Sequence, residues 1–313
     1  MTTTFKLPPP WTYGFLFAFV MWVSTMAYAG FGGAWATLAA ALLFGAISVV
    51  IGTGQMFVIA SGPGNIDLSI PSVLTLSAYV SMSVMSGSDS MLPFGLLTAL
   101  GVGALAGSLN FAAVTLLKLP PIIATLAWSF VFQSFAFNFG GEATLKPPAL
   151  LSAFTTSRLA GIPVMPIAVA GLTVLAAIAL KRSVWGRELL SVGQSERAAE
   201  FAGVDVRWVR LRAYMLCSAL AGLGGFLLAG FTGGAALNMG DTYLLESIAV
   251  VVLGGTSIAG GQANAVGIWG AALFFNLMAT MLNTFGIEVG YRLLLTGVLI
   301  ILIVGLVPRA RQA

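Results

Sequence analysis

Long stretches without a charged side chain are the feature of this sequence that most restricts its fold. Of the 313 residues, 58% are hydrophobic and only 8% are charged, whereas a soluble chain keeps about a quarter of its residues charged. Apolar windows of about 20 residues recur, and each could cross a ~30 Å hydrocarbon core as a helix. The sequence therefore predicts an all-α integral membrane protein with about ten transmembrane helices, arranged as one domain over residues 1–313.

The first predicted crossing lies near the amino terminus. Three consecutive prolines separate Lys6 from the first apolar run, and no clear A-x-A cleavage site follows it, so we interpret this run as a transmembrane helix and not as a removed signal peptide. Ten crossings would place both termini on one side of the membrane. The other candidate spans are residues 36–59, 70–86, 92–117, 121–140, 161–180, 208–230, 244–259, 265–285 and 291–307.

Basic side chains are concentrated on one side of this ten-helix arrangement. Seven of the 14 Lys and Arg residues lie within residues 181–212. By the positive-inside rule this side is the cytoplasm, so the net charge of +4 reflects membrane orientation and gives no support to a nucleic-acid partner. The same side carries Lys6, Lys118, Arg309 and Arg311. The opposite side carries a mixed set with more acid than base: Asp89, Glu142, Lys146, Arg158, Asp241, Glu288 and Arg292.

Two interruptions of the apolar pattern indicate a translocation path. The first, within FVIASGPGNIDLSIPSVLTLSAYV at residues 57–80, contains Asp67, and a charged aspartate at the bilayer centre costs about 2.5 to 3.5 kcal/mol, so Asp67 should not face lipid. Pro63 and Pro71 break helical hydrogen bonding, which membrane proteins tolerate only in their interior or beside an aqueous cavity. The second interruption, GGTSIAGG at residues 254–261, is another break in an apolar segment, in the other half of the chain.

Asp67 has two interpretations. In the first, Asn65, Asp67 and Ser69 shape a polar gate or lining for a substrate. In the second, Asp67 accepts backbone N–H groups of the following turn and holds the broken segment rigid. Polar residues inside other spans, such as Asn110, are expected to form hydrogen bonds between helices. The small-residue stretches at 103–107 and 222–225 predict close helix packing.

The basic region contains a segment, residues 183–207, that predicts two short helices on the cytoplasmic face. We expect helices at 185–192 and 196–203, with Gly193 in a tight turn at positive φ and Ser195 starting the second helix. The second helix carries a small apolar ridge that favours docking into a groove of another protein; the alternative is an amphipathic helix resting on lipid headgroups. The ridge consists of Ala198, Ala199, Phe201 and Val204.

Three stretches, GNIDLSIPSVLTLSAYV, GRELLSVGQSERAAEFAGVDV and ESIAVVVLGGTSIAGGQ, resemble the permease subunits of bacterial ABC sugar importers, the ribose, xylose and galactofuranose permease group, over about residues 40–307. Asn65 and Pro71 depart from the glycines of the family pattern. The resemblance implies a type II ABC importer-like fold in the bacterial inner membrane. Ten crossings and the positive-inside rule lead us to expect both termini in the cytoplasm. It implies a substrate path or gate at Asn65, Asp67, Ser69, Ser72, Gly254, Gly255, Thr256 and Ser257. It also implies ATPase coupling through Gly186, Arg187, Gly193, Glu196, Ala198, Ala199 and Gly203.

The resemblance also implies partners that supply what this chain lacks. No G-x-x-x-x-G-K-[ST] sequence occurs, so ATP and Mg²⁺ are expected on a separate ABC ATPase subunit and no cofactor on this chain. The chain has no histidine and a single cysteine, and neither a metal site nor a catalytic set is expected. The other expected partners are a periplasmic sugar-binding protein and a second copy or a homologous permease.

Three other functions remain open from the sequence. A branched-chain amino acid ABC permease would share a similar fold and coupling motif and differ mainly in its substrate. An ion-coupled secondary transporter would account for Asp67 but would leave the two cytoplasmic helices without a purpose. A membrane-embedded enzyme has the least support, because no catalytic residues converge in the sequence.

Overall fold

The computed structural model describes residue 9, residues 11–140 and residues 146–306. A short antiparallel hairpin, β1 (Arg158–Leu159) and β2 (Ile162–Pro163), accompanies the helices. The helices are α1 (Thr12–Ala29), α2 (Ala34–Ala60), α3 (Ile70–Met85), α4 (Leu92–Leu116), α5 (Pro121–Gly140), α6 (Ala149–Thr156), α7 (Val164–Arg182), α8 (Val184–Gln194), α9 (Glu196–Phe201), α10 (Val206–Thr232), α11 (Tyr243–Leu253), α12 (Ala265–Thr284) and α13 (Val289–Leu306). Lys6, Glu142, Arg309, Arg311 and both chain ends lie outside the described residues.

The predicted all-α, multi-pass membrane architecture is confirmed. Among the described residues, 7 helices are long and apolar enough to cross a membrane, and α3 and α11 are shorter apolar helices. The exact number of ten crossings is not confirmed. The predicted span 244–259 is wrong in its second half, because α11 ends at Leu253 and the chain turns at Gly255, whose φ of 91° is a conformation that glycine adopts without strain.

Helix α10 lies in the centre of the bundle and packs against α2, α3 and α4. The predicted close packing of small residues is confirmed there. A Cβ atom on Gly103 or Gly107 of α4 would overlap the backbone of α10 at Ser218 or Tyr214. A Cβ on Gly225 would likewise overlap the carbonyl oxygen of Leu74 in α3. Backbones this close require glycine, since any side chain would push the helices apart.

The two short helices predicted in the basic segment are confirmed as α8 and α9. Helix α8 packs against α2, α7 and α10, and so lies at one end of the bundle. Trp185 fixes this position: its Nε1 donates to the carbonyl oxygen of Val209 at 3.3 Å, and its ring meets that of Phe57 with centroids 5.3 Å apart. Residues 183–207, called the coupling segment below, are thereby attached to three helices of the bundle.

Candidate functional site

The first break, residues 61–69, separates α2 from α3. Its backbone departs from helical geometry at Gly62 and Gly64, whose φ angles are 140° and 77°. Pro63 and Gly64 are exposed, whereas Asp67 and Ser69 are buried. The break therefore places Asp67 and Ser69 inside the bundle, where irregular backbone in a membrane protein is tolerated.

Asp67 is the centre of a hydrogen-bonded cluster that joins three helices. Its Oδ1 accepts from the backbone N–H of Ser69 at 2.9 Å, from the Ser69 hydroxyl at 2.6 Å and from Asn110 Nδ2 at 3.3 Å. Its Oδ2 accepts from the Ser218 hydroxyl at 3.0 Å. The carboxylate is 1% exposed, so in this conformation Asp67 braces α3, α4 and α10 and does not line an open path.

The capping interpretation of Asp67 is met only in part. Asp67 accepts the backbone N–H of Ser69, the residue before α3, but the first turn of α3 has no side-chain cap. Ser69 also accepts from Asn110 Nδ2 at 2.7 Å through its hydroxyl, so Asn110 forms the bond between helices that its position predicted. Ser72, one turn further, shares a hydrogen bond of 2.7 Å with Ser129 of α5.

Asn65 is held apart from Asp67 by its own partners. Its Nδ2 donates to the carbonyl oxygen of Gly62 at 3.3 Å, and its Oδ1 accepts from the Tyr214 hydroxyl at 3.3 Å. Asn65 is 7% exposed. Where the family pattern has glycine, this side chain fastens the first break to α10.

Two buried amides next to Asp67 retain an unused polar atom. Gln55 accepts the Asp67 N–H through Oε1 at 3.3 Å, and within the described residues its Nε2 has no hydrogen-bond partner. Asn110 Oδ1 has none there either. An unpaired buried donor or acceptor costs roughly 1–3 kcal/mol, so this region is less completely satisfied than the rest of the core. No group of acidic, histidine or cysteine side chains that could hold a metal ion occurs in the described chain.

The second break, residues 254–264, connects α11 to α12 and is partly buried: Gly254, Thr256 and Gly261 lie inside, whereas residues 258, 259 and 262 are exposed. Gly254 packs against α12, because a Cβ there would come within 2.9 Å of the backbone nitrogen of Ile268. Thr256 is 1% exposed and accepts from the backbone N–H of Asn264 at 3.4 Å. The half-buried Ser257 donates its backbone N–H to Gln262 at 3.1 Å.

The predicted path residues do not form one site. In the second break, a Cβ on Gly255 would approach Trp11 of the chain just before α1 to 3.0 Å, and neither Thr256 nor Ser257 has a hydrogen bond to the Asp67 cluster. The two breaks meet instead through backbone at their ends on the coupling-segment side. The backbone N–H of Gly261 donates to the carbonyl oxygen of Ala60 at 3.0 Å.

Helix α8 joins the two breaks at this same point. A Cβ on Gly193 would overlap both the carbonyl oxygen of Ala60 and the backbone nitrogen of Gly261. Gln194 adds a hydrogen bond from Nε2 to the Gly261 carbonyl oxygen at 3.3 Å. We call Ala60, Gly193 and Gly261 the glycine junction. The prediction that Gly193 forms a tight turn at positive φ is wrong: Gly193 lies inside α8 with an ordinary φ, and its missing side chain permits close backbone packing.

The coupling segment begins with the predicted motif Gly186 and Arg187. Ser183 starts α8 by accepting the backbone N–H of Gly186 at 2.9 Å, and a Cβ on Gly186 would overlap the carbonyl oxygen of Ala179 in α7. Arg187 is exposed and donates from Nη1 to the carbonyl oxygen of Arg182 at 3.0 Å. Gly186 thus seats α8 against α7, while Arg187 faces outward.

Helix α9 starts as predicted at Ser195, whose hydroxyl accepts the Ala198 N–H at 3.3 Å. The residues of the expected apolar ridge do not all face the same way. Ala199 is 3% exposed and packs inward, whereas Ala198 is exposed and Phe201 is 93% exposed. Gly203 follows with a φ of 83°, which turns the chain into α10. The outward apolar surface of α9 is therefore Ala198 and Phe201.

Glu196 is tied to the bundle by an ion pair that the sequence did not reveal. Both of its carboxylate oxygens meet Arg210 of α10, at 3.1 and 2.7 Å. The Nε of Arg210 also reaches the carbonyl oxygen of Ser61 at 3.5 Å. Arg210 was counted among the cytoplasmic charges. Glu196 and Arg210 lie on different helices, so their separation along the sequence did not predict an ion pair.

Glu246 is a polar residue of α11 that the sequence reasoning missed. Its Oε1 accepts from the Ser48 hydroxyl of α2 at 2.6 Å, and Asn276 Nδ2 of α12 approaches the same hydroxyl at 3.5 Å. Glu246 is half-buried. A glutamate inside the apolar run YLLESIAVVVL was the available signal, because a carboxylate within a membrane span usually marks a functional position.

A cavity of about 480 Å³ lies between α2, α4, α6, α7 and α10. Every one of its lining residues is apolar, among them Val50, Leu151 and Phe226. A sugar site needs a few convergent polar groups for orientation. This cavity therefore offers no place for a polar substrate.

Comparisons with known proteins identify the family of this chain and several of its relatives. The family described as branched-chain amino acid transport system / permease component matches residues 49–304, which include both breaks and the coupling segment. The ribose import permease protein of Bacillus subtilis is 33% identical over 86% of this chain and 83% of its own length. The fructose import permease protein of Rhizobium meliloti is 30% identical over 83% of this chain and 74% of its own. An autoinducer 2 import system permease protein of an Enterobacter species is 30% identical over 80% of this chain and 73% of its own. No solved structure matches the chain.

Proposed function

Because this chain belongs to the ABC permease family described as branched-chain amino acid transport system / permease component, we propose that it carries a monosaccharide inward across the bacterial inner membrane, driven by a separate ATPase subunit. The relatives named for ribose and fructose support a sugar cargo over the amino acid of the family description. Pentose and hexose both fit this proposal. The chain acts as a transport subunit, and ATP with Mg²⁺ is bound by the partner.

The observation that carries the proposed mechanism is the glycine junction. Gly193 of α8 lies directly against Ala60 and Gly261, at the ends of the two breaks. A displacement of α8 by a docked ATPase would therefore act on both breaks through backbone contacts, without an intervening side chain. This contact supports a mechanism in which the two broken segments move together.

The remaining partners follow from the same proposal. The exposed Phe201 and Ala198 of α9 would meet a groove of the ATPase, as a helix docked in a groove does. A periplasmic sugar-binding protein would deliver the cargo on the opposite side, and a second copy or a homologous permease would complete the path. The basic residues of the coupling segment support a cytoplasmic position for this end of the bundle, by the positive-inside rule.

An ion-coupled secondary transporter fits the described contacts less well. Both carboxylate oxygens of Asp67 already accept hydrogen bonds from serine and asparagine. Such a transporter would also give no role to the surface of α9 with its 93% exposed Phe201. The ATP-driven importer uses both features, one as a brace and the other as a docking surface.

Uptake in reconstituted vesicles tests the proposal. The full chain would be purified together with its proposed ATPase and binding-protein partners, and uptake of labelled ribose, fructose and leucine would be measured with and without ATP. We expect ATP-dependent uptake of a sugar, abolished when the P-loop lysine of the ATPase is replaced. Uptake of leucine alone would overturn the cargo, and uptake driven by an ion gradient without the ATPase would overturn the mechanism.

A further inference from the structure

A groove of about 190 Å³ runs along the surface of α7 at the end that meets the coupling segment. Its wall is apolar over most of its length, with Val174 and Ile178 of α7 and Val266 of α12 being 58%, 49% and 49% exposed. The floor is closed by a hydrogen bond of 2.9 Å from Trp269 Nε1 to the Thr173 hydroxyl, which joins α12 to α7. The groove is therefore a built feature between two membrane helices.

Positive charge is confined to one end of this groove. Lys181 and Arg182 line it in the last turn of α7, and both are exposed. The guanidinium of Arg187 is held beside them by its bond to the Arg182 carbonyl oxygen at 3.0 Å. The ion pair found in the described chain joins Arg210 and Glu196, so none of the three cations has a carboxylate partner there.

We propose that this groove binds one anionic phospholipid of the cytoplasmic leaflet, with an acyl chain along Val174 and Ile178 and the phosphate at Lys181 and Arg182. An apolar channel that ends in cations at the membrane surface matches the two parts of such a lipid in order. A free phosphate would use only the charged end and leave the apolar wall exposed. The inference rests on the proposed cytoplasmic side but not on the cargo or the ATPase.

The test is lipid binding to the full chain by native mass spectrometry in mild detergent. Phosphatidylglycerol and phosphatidylcholine of equal chain length would be titrated separately onto the protein. We expect the first adduct to form preferentially with phosphatidylglycerol. The double variant Lys181→Gln/Arg182→Gln should weaken that adduct on the order of twentyfold, since each charge at the surface contributes about a fivefold change.

Two further variants separate a groove from general charge attraction. Lys118→Gln/Arg197→Gln removes two exposed basic residues elsewhere on the predicted cytoplasmic side and should leave phosphatidylglycerol binding unchanged. Ala177→Leu fills the groove and keeps its charges, and should weaken binding as well. Thermal unfolding of each variant would verify that it is folded.

Four results would overturn the proposed lipid site. Equal adducts with both lipids, or equal loss in the two charge variants, would overturn the site. Unchanged binding in Ala177→Leu, or displacement of the lipid by millimolar inorganic phosphate, would show an anion site without an acyl chain. Because neither ATP nor sugar enters the assay, these outcomes leave the proposed transport function untouched.

Discussion

Arg210 and Glu196 form a two-point ion pair that joins α9 to α10, with nitrogen to oxygen distances of 2.7 and 3.1 Å. Arg210 Nε also reaches the carbonyl oxygen of Ser61, the first residue of the first break. One side chain therefore connects the surface proposed to meet the ATPase with the polar interruption of the membrane helices.

Exchanging the two charges tests this connection. We expect Glu196→Arg or Arg210→Glu alone to lower ATP-driven uptake severely, and the double exchange to restore a large part of it. The side chains are 49% and 21% exposed, so the pair adds at most about 1 kcal/mol to stability and the single variants should remain folded. Arg212→Glu, on the same helix, outside the coupling segment and without an ion-pair partner among the described residues, is the control and should keep uptake. Failure of the double exchange to recover any uptake would assign Glu196 to ATPase contact alone.

Adding one methyl group at the glycine junction should be far more harmful than adding it elsewhere. In Gly193→Ala the new Cβ overlaps backbone atoms of Ala60 and Gly261, which should cost about 1–3 kcal/mol and abolish uptake. Gly101→Ala is the matched variant, since nothing lies within 4 Å of a Cβ there, and it should be neutral or stabilising by about 0.5–1 kcal/mol. Thermal unfolding in detergent and uptake would be compared, and similar behaviour of the two variants would contradict the junction.

The brace around Asp67 predicts a difference between two substitutions. Asp67→Asn keeps an oxygen for the Ser69 N–H and should retain most of the stability and uptake. Asp67→Ala leaves the buried Ser69 N–H and the Ser218 hydroxyl without their acceptor, at roughly 1–3 kcal/mol for each unsatisfied group. Unfolding temperature and uptake measure both effects. Equal losses in the two variants would show that the charge itself is used.

A double-mutant cycle measures the interaction free energy between Glu246 and Ser48. Removing the hydroxyl in Ser48→Ala should cost about 1.5–3 kcal/mol if it donates to a charged carboxylate, and about 1 kcal/mol in a Glu246→Gln background. The free energy of unfolding of the four proteins provides the comparison. The same cost in both backgrounds would mean that Glu246 carries no charge.

Cysteine labelling tests the docking surface and its side of the membrane. Phe201→Cys places a thiol at a 93% exposed position, whereas the native Cys217 is fully buried and should not react. A membrane-impermeant maleimide should label Phe201→Cys in inside-out vesicles, and bound ATPase should protect it. Ser157→Cys, exposed at the other end of the bundle, should label only in right-side-out vesicles. Labelling of both thiols from the same side would contradict the proposed orientation.

The positions of the long membrane helices were predictable because apolar length alone marks a membrane span, whereas the short α6 and the early end of α11 were not predicted. Asp67 was predictable as an interior residue for the same reason, since its charge cannot face lipid. Breaks at proline and glycine also followed from backbone chemistry, as did the start of α9 at Ser195. These features depend on local sequence, or on whether a side chain is more stable in lipid or in the protein interior.

The partners of these residues were not predictable. Helices that are apolar on every side carry no stripe to mark which face meets which neighbour, so Gln55 and Ser218 could not be assigned to Asp67. Gly193 was predicted to lie in a turn, because a glycine between two helices ordinarily ends the first helix. In the structure Gly193 lies within α8 and packs against the backbone of Ala60 and Gly261. The Glu196 and Arg210 pair likewise depends on how α9 folds back on α10.

The glycine junction has one mechanical consequence. Ala60, Gly193 and Gly261 meet through backbone atoms, and two of the three have no side chain. A contact of this kind contains no rotatable χ torsion that could absorb a small displacement, and its hydrogen bond would have to rupture before the parts could separate. The movement of the two breaks should therefore be a single event, with no intermediate in which only one break has moved.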